Sequence, residues 1–200
     1  MTRNIDRHVP QMEDLVIWTG GFTEEECNLI IQTGELFEFM KAGIGDSPDE
    51  PTIEEDIRKT NITWIEPYNE HQWLFDRLNE IVAKVNFDKF QLTLNRFDGF
   101  QYSKYEKDDH YSWHKDISLN PTQNGLYRKL SVIVMLSDPK DYEGGDLLLC
   151  TSGNLDNIEH HRLAKGDIAF FYSTTPHKVE PVTSGTRLTL VTWCLGEKFK

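Results

Sequence analysis

The sequence predicts a mainly β domain of the sandwich, jelly-roll or barrel kind, supported by helices at its N-terminal side. Three observations lead there. Short β-rich runs with turn residues between them follow one another after Phe90. Two helical patterns precede these runs. The chain has 200 residues, which suits one domain with a sizeable core.

In chain order, Thr23 to Phe39 reads as a helix. Thr23 is a natural N-cap with Glu26 three residues on, and Cys27, Ile30, Ile31, Leu36 and Phe37 recur at near-helical spacing. Lys41 to Asp56 is rich in Gly, Pro and acids and reads as a loop. Its stretch from Gly43 to Glu55 is a candidate lid. Ile57 to Ile65 reads as a strand. Gln72 to Val85 is a second helix, with Trp73, Leu74, Leu78, Ile81 and Val82 on one face. The predicted strands that follow are Gln91–Phe97, Lys129–Leu136, Asp146–Cys150, Ile168–Tyr172 and Arg187–Trp193. Between them, Asp138-Pro139, Glu143-Gly144-Gly145, Lys165-Gly166-Asp167 and Ser184-Gly185 mark turns.

Composition narrows the function classes. The formal net charge is -12 and the 21 Lys and Arg are scattered, so a phosphate backbone is a poor partner. A polypeptide or a small molecule fits better. No apolar run approaches the ~20 residues that span a bilayer. The polar N-terminus has no signal-peptide core. The expectation is a cytoplasmic protein with no membrane or nucleic-acid partner. Cys27, Cys150 and Cys194 are far apart and odd in number, which argues against a disulfide framework or a thiolate zinc site.

The chemistry centres on His114-Lys115-Asp116. On an extended segment, residues i and i+2 point the same way, so one imidazole and one carboxylate can meet a single ion. His177 is the best third ligand, following a strand-like run and a short loop. Two imidazoles and a carboxylate on one face leave positions open for a bidentate co-substrate and O2, the arrangement of non-haem Fe(II) oxygenases. Ten residues beyond His177, Arg187 enters the apolar strand Arg-Leu-Thr-Leu-Val-Thr-Trp. A lone Arg there needs an anion, and the distal carboxylate of 2-oxoglutarate would suit its fork. Tyr105 can add a hydroxyl to that carboxylate. Adjacent His160 and His161 read as surface residues, and His110 as a solvated loop residue. His8 and His71 have no supporting context. Tyr111, Trp113 and Trp193 are candidates to line a pocket.

Read together, these segments resemble the prolyl-hydroxylase branch of the Fe(II)/2-oxoglutarate oxygenases, which includes collagen-type and hypoxia-factor enzymes. The pattern runs from Tyr105 through Tyr111-Ser-Trp-His114-Lys-Asp116, Leu130-Ser-Val-Ile-Val-Met-Leu and Tyr142-Glu-Gly-Gly-Asp146-Leu. It continues through Lys165-Gly-Asp-Ile-Ala-Phe-Phe to His177-Lys-Val-Glu-Pro-Val-Thr-Ser-Gly-Thr-Arg187. Upstream, Asp56-Ile-Arg and Ile62-Thr-Trp-Ile65 resemble the hypoxia-factor enzymes, as does Arg187 where collagen-type enzymes usually carry Lys.

The resemblance covers roughly residues 15 to 197. It implies a double-stranded β-helix, or jelly roll, braced by the N-terminal helices. A single oxygenase domain over 1–200 would divide near residue 90 into a helical support and lid region and a jelly-roll core. His114, Asp116 and His177 would bind Fe(II). Arg187 and Tyr105 would bind 2-oxoglutarate, with O2 as co-substrate and ascorbate as a candidate accessory. The implied substrate is a protein or peptide containing proline, contacted by Asp46 to Glu55 and Ser118 to Tyr127. A nucleic-acid demethylase would carry a second Arg where Trp193 stands. A non-catalytic jelly-roll module should lack a ligand or the anion-binding Arg. A cupin would show a His-x-His pair.

Overall fold

The computed structural model describes residues 13–44, 52–68, 70–117, 120–122, 124–154 and 156–198. Strand β1 (Leu15–Trp18) leads into helix α1 (Glu24–Glu35), whose start is fixed by the predicted capping box. The Thr23 hydroxyl accepts from the Glu26 amide at 3.2 Å, and Glu26 Oε2 accepts from the Thr23 amide at 2.8 Å. The helix stops four residues short of the expected Phe39. Its end tightens through Leu36 N–H to Thr33 C=O and Phe37 N–H to Gly34 C=O. The chain then turns so that Phe37 meets His71 and Phe39 meets Tyr102.

Strands β2 (Met40–Lys41), β3 (Arg58–Lys59) and β4 (Asn61–Ile65) follow. The predicted strand 57–65 is thus two short strands. Of the expected loop and lid, residues 45–51 lie outside the described residues; Ile44 and Thr52 form an isolated antiparallel bridge across them. Helix α2 (Gln72–Val85) has the predicted bounds and buries Leu74, Leu78, Ile81, Val82 and Val85.

The expected strand Gln91–Phe97 is not there. α2 runs into a π-turn (Asn86–Phe90) that closes on Gln91 in the left-handed region, φ 52°. The Asn86 side chain then pins Leu92 through both its N–H and C=O, at 2.9 and 2.8 Å. Leu92 and Leu94 pack on the core without a ladder, so their alternation imitated a strand. The strand, β5 (Arg96–Tyr105), starts later and runs ten residues.

The remaining strands are β6 (His110–His114), β7 (Tyr127–Met135), β8 (Tyr142–Gly144), β9 (Leu147–Leu149), β10 (Glu159–His161), β11 (Ile168–Tyr172), β12 (His177–Val179), β13 (Val182–Gly185) and β14 (Arg187–Gly196). A seven-stranded sheet has the order β1-β11-β7-β14-β5-β4-β2, and a five-stranded sheet the order β10-β9-β12-β6-β3. A small β13-β8 ribbon is the third sheet among the described residues, and all pairings among them are antiparallel.

Alternation along the strands divides the core. On β7, Val132 and Val134 turn outward and pack with Ile30, Leu74 and Leu78 of the helices. Ile133 and Met135 turn inward and pack with Leu147, Leu149, Ala169 and Phe171 between the sheets. The result is a mainly β jelly roll braced on the outer face of its larger sheet by α1 and α2. The region before residue 90 also contributes strands, β1, β2 and β4 to the larger sheet and β3 to the smaller. Cys27, Cys150 and Cys194 are buried free thiols. Among the described residues, no helix is long and apolar enough to cross a membrane.

One contact makes the bracing testable. Gly34 of α1 lies against the Tyr102 ring, where an added Cβ would come within 2.5 Å of Cγ. That ring is fully buried and its hydroxyl donates to Glu35 Oε1 at 3.0 Å, so it is not free to move. Alanine normally favours a helix over glycine by about 1 kcal/mol. Here Gly34→Ala is expected to destabilise the protein by about 1–3 kcal/mol through overpacking, measured by the urea unfolding midpoint. A stabilised variant would refute the contact.

Candidate metal and co-substrate site

His114 ends β6 and His177 opens β12, and the two are register partners across the smaller sheet. Pairing of distant segments therefore sets the imidazoles side by side, ring centroids 4.1 Å apart. Asp116 reaches them by a different route from the expected extended run, because β6 ends at His114. The next residues bend, and the amides of Asp116 and Ile117 both donate to the Ser173 carbonyl, at 3.0 and 2.9 Å. The bend leaves Asp116 Oδ1 3.6 Å from His114 Nε2 and Oδ2 3.5 Å from His177 Nε2. One potential ligand atom from each of the three lies within 4.8 Å of the others.

The donors are prepared for an ion. His114 Nδ1 meets the Ser112 carbonyl at 2.8 Å, and His177 Nδ1 meets the Thr175 carbonyl at 3.0 Å. Each carbonyl can only accept, so Nδ1 carries a hydrogen and Nε2 is the ring atom turned toward Asp116. Ser131 Oγ donates to Asp116 Oδ2 at 2.6 Å and lies 3.0 Å from Ser173 Oγ. Tyr111 stacks on His114 at 3.4 Å, and Phe171 sets its ring against His177 at 4.7 Å.

Electrostatics agree with this assignment. Burial pushes the His177 imidazole down to about 4, so it is neutral at physiological pH. Burial works against the Asp116 charge, but His177, His114 and the Ser131 hydroxyl outweigh it and hold the carboxyl well below the usual carboxylate range. Among the described residues, no Lys or Arg pairs with this buried carboxylate. An ionised carboxylate between two imidazole Nε2 atoms, with no Lys or Arg partner among the described residues, is a donor set that a divalent metal completes.

A second polar group sits on the larger sheet. Arg187 opens β14 and is only 1% exposed. Its Nε and Nη2 have no hydrogen-bond partner among the described residues. Register pairs it with Tyr105, whose ring lies 5.3 Å from the guanidinium. A buried cation with unused donors is costly, so the group fits a carboxylate ligand. Tyr105 packs with Val179, Val182 and Tyr111, and Tyr111 in turn stacks on His114. A continuous wall thus joins the Arg187 end to the imidazole end.

All five residues singled out from sequence fall into these two connected groups. Several neighbours were not singled out. Ser131 is one, and its signal was a lone hydroxyl on the inward parity of an apolar run. Arg58 is another: β3 pairs it with Tyr111, and its guanidinium lies 4.5 Å over that ring. Trp193 is not available for stacking on a substrate, since it is 5% exposed with Arg128 at 3.7 Å over its ring and Asp98 holding that Arg at 2.8 Å. Trp113 is 37% exposed.

The remaining histidines differ in part from expectation. His71 is buried against Phe37 and meets the Glu66 carbonyl. His110 opens β6 and its ring meets the carbonyls of Asp108 and Asp56. Exposed His160 lies near Asp146 and Glu180, but those acids already pair with Arg162 and Lys178. His8 lies outside the described residues, as do residues 118, 119 and 123 of the second expected substrate loop and 46–51 of the first.

Comparison with known proteins agrees with this chemistry. Residues 100–195 match the model of the 2OG-Fe(II) oxygenase superfamily. A PKHD-type hydroxylase of Prochlorococcus marinus is 40% identical over 95 residues, 48% of this chain and 40% of that protein. The chain spans about two fifths of the length of such curated relatives. In fold, a Pseudomonas putida prolyl-4-hydroxylase superposes with a TM-score of 0.70 at 18% identity, over 93% of this chain and 94% of that one. A Trichoplax adhaerens prolyl hydroxylase, in complex with a hypoxia inducible factor oxygen degradation domain peptide fragment, gives 0.66 at 19% identity, over 90% and 83%.

Proposed function

We propose that this chain is a 2-oxoglutarate-dependent dioxygenase, a reading the match of residues 100–195 to the 2OG-Fe(II) oxygenase superfamily supports, and that it hydroxylates a peptidyl side chain, with proline the residue oxidised. The observation that carries the reading is the pairing of two prepared groups in one jelly roll. His114, Asp116 and His177 form a largely enclosed set with no Lys or Arg partner among the described residues, and Arg187 is a buried cation whose Nε and Nη2 have no partner among them. His114, Asp116 and His177 would hold Fe(II), and Arg187 with Tyr105 would hold the distal carboxylate of 2-oxoglutarate.

When bound, the iron, O2 and 2-oxoglutarate supply an oxidant that puts one oxygen atom on the substrate carbon and the other into succinate, with loss of CO2. The protein's own share is placement and shielding. Ser131 fixes one carboxylate oxygen of Asp116, while the Ser112 and Thr175 carbonyls fix the ring orientation of His114 and His177. Tyr111 and Phe171 cover the imidazole faces and exclude water there. Arg187 sets the co-substrate by a forked contact from the opposite sheet.

A peptide substrate is supported by the Trichoplax neighbour, which holds one, and by the net charge of -12, which disfavours nucleic acid. A proline segment is already extended and loses little entropy on docking. The test is a panel of proline peptides incubated with Fe(II), 2-oxoglutarate and ascorbate, read by mass spectrometry and succinate release. One added oxygen on a proline ring is expected. Oxygen gained only by a lysine, asparagine or free amino-acid substrate would overturn the proline assignment and leave the oxygenase class.

A further inference from the structure

The stem of Arg187 is covered by the segment Tyr142-Glu143-Gly144-Gly145-Asp146. A Cβ built on Gly145 would lie 3.0 Å from Arg187 Cδ and 2.9 Å from Val182 Cγ2, so this backbone rests directly on both side chains. Gly144 and Gly145 are both left-handed, φ 69° and 65°, which lets the chain fold over the cation. Two consecutive glycines have little local stiffness; the β13 ladder and the Gly145 N–H to Pro181 C=O bond at 3.1 Å hold one edge of this segment, and the other edge needs a hold of its own.

Arg162, one residue beyond β10, supplies that hold. Its Nη1 donates to the Gly144 carbonyl and to Asp146 Oδ1, each at 2.9 Å. Its Nη2 donates to the carbonyls of Pro139 at 2.7 Å and Tyr142 at 2.5 Å. The guanidinium also lies 4.5 Å from the Tyr142 ring centroid. One planar fork thus fastens four residues between 139 and 146, a geometry that a lysine's point charge does not reproduce.

We infer that Arg162 is a positioning residue for the co-substrate: it clamps the Tyr142–Asp146 segment onto Arg187 and so fixes the guanidinium that receives the 2-oxoglutarate carboxylate. The inference rests on the reading of Arg187 as the anion site. Arg162 touches neither the metal-binding set nor the co-substrate, so its loss should act on one affinity and spare the other.

The experiment compares wild type, Arg162→Ala, Arg162→Lys and Arg187→Ala. Mn(II) affinity is measured first, then 2-oxoglutarate affinity of the Mn(II)-loaded protein, with amide exchange followed across residues 139–146. In Arg162→Ala, 2-oxoglutarate binding should weaken about tenfold, the lower end of what an outer partner of a site contributes. Mn(II) affinity should stay within about twofold, and exchange should rise at 142–146. Arg162→Lys should recover only part of the loss, since it keeps the Asp146 pair and loses the fork. Unchanged 2-oxoglutarate affinity in Arg162→Ala, alongside a large loss in Arg187→Ala, overturns the clamp. Parallel loss of Mn(II) and 2-oxoglutarate affinity in both Arg162 variants also overturns it, since that is the mark of a collapsed fold. Unchanged affinity in Arg187→Ala refutes the anion-site reading itself.

Discussion

Asp116→Ala is expected to abolish turnover. The variant removes the only carboxylate of the metal-binding set and leaves two imidazoles in a largely enclosed site. Outer partners of a metal ligand cost ~10–100-fold when removed, and loss of the anionic ligand itself should exceed that range. The apo-fold should survive the change at some loss of stability, because His177, His114 and the Ser131 hydroxyl hold the carboxyl below its usual range and so stabilise its charge in the folded state at neutral pH. Two measurements separate a lost site from a lost fold. Apo Asp116→Ala should still melt cooperatively, below the wild-type temperature by the stability the carboxylate contributed. Saturating Mn(II) should raise the melting temperature of wild type, since a ligand that binds only the folded state stabilises it by mass action, and should not raise that of the variant. Full turnover in Asp116→Ala would sink the metal assignment outright.

How much of this was legible in advance depends on sequence distance. α2 and the capping box of α1 rest on contacts within four residues, and both were readable. β11 was readable too, as a continuous apolar run bounded by turns. β5 was not, because Gln91 adopts a left-handed conformation through closure of the π-turn and the Asn86 side chain reaches six residues forward. Those events move the strand start from 91 to 96 and leave an apolar alternation that belongs to packing.

The site divides the same way. His114, Asp116 and Arg187 announce themselves by local chemistry, an HxD and a charge at the head of an apolar strand. His177 is less visible, since its role depends on the β12–β6 register and 60 residues lie between it and Asp116. Its place after a strand-like run and a short loop marked it as the best third ligand, and the family resemblance implied the same role. Ser131 and Arg162 were silent for a related reason. Ser131 meets Asp116 across 15 residues, and Arg162 meets its four partners across 16 to 23. A hydroxyl in a strand or an arginine beyond one has no local signature of what it will hold.

Arg187→Ala is expected to weaken 2-oxoglutarate binding by about a hundred- to a few-thousand-fold, the equivalent of the ~3–5 kcal/mol that follows when one partner of a buried charge pair is removed. Tyr105→Phe should cost only about 0.5–1.5 kcal/mol, as for a neutral hydrogen bond. The sign of the stability change is the sharper test. A structural arginine, buried and bonded to its neighbours, destabilises the fold when removed. Arg187 is instead 1% exposed with Nε and Nη2 unused, so in the apo-protein its charge is a cost rather than a support. Arg187→Met fills similar space without that charge, so apo Arg187→Met should melt at or above the wild-type temperature. It should also lose the rise in melting temperature that 2-oxoglutarate gives the Mn(II)-loaded wild type. Loss of the ligand-induced rise with no loss of apo stability assigns Arg187 to the co-substrate. A variant that unfolds early yet still responds to 2-oxoglutarate would make Arg187 part of the scaffold and leave the anion to another residue.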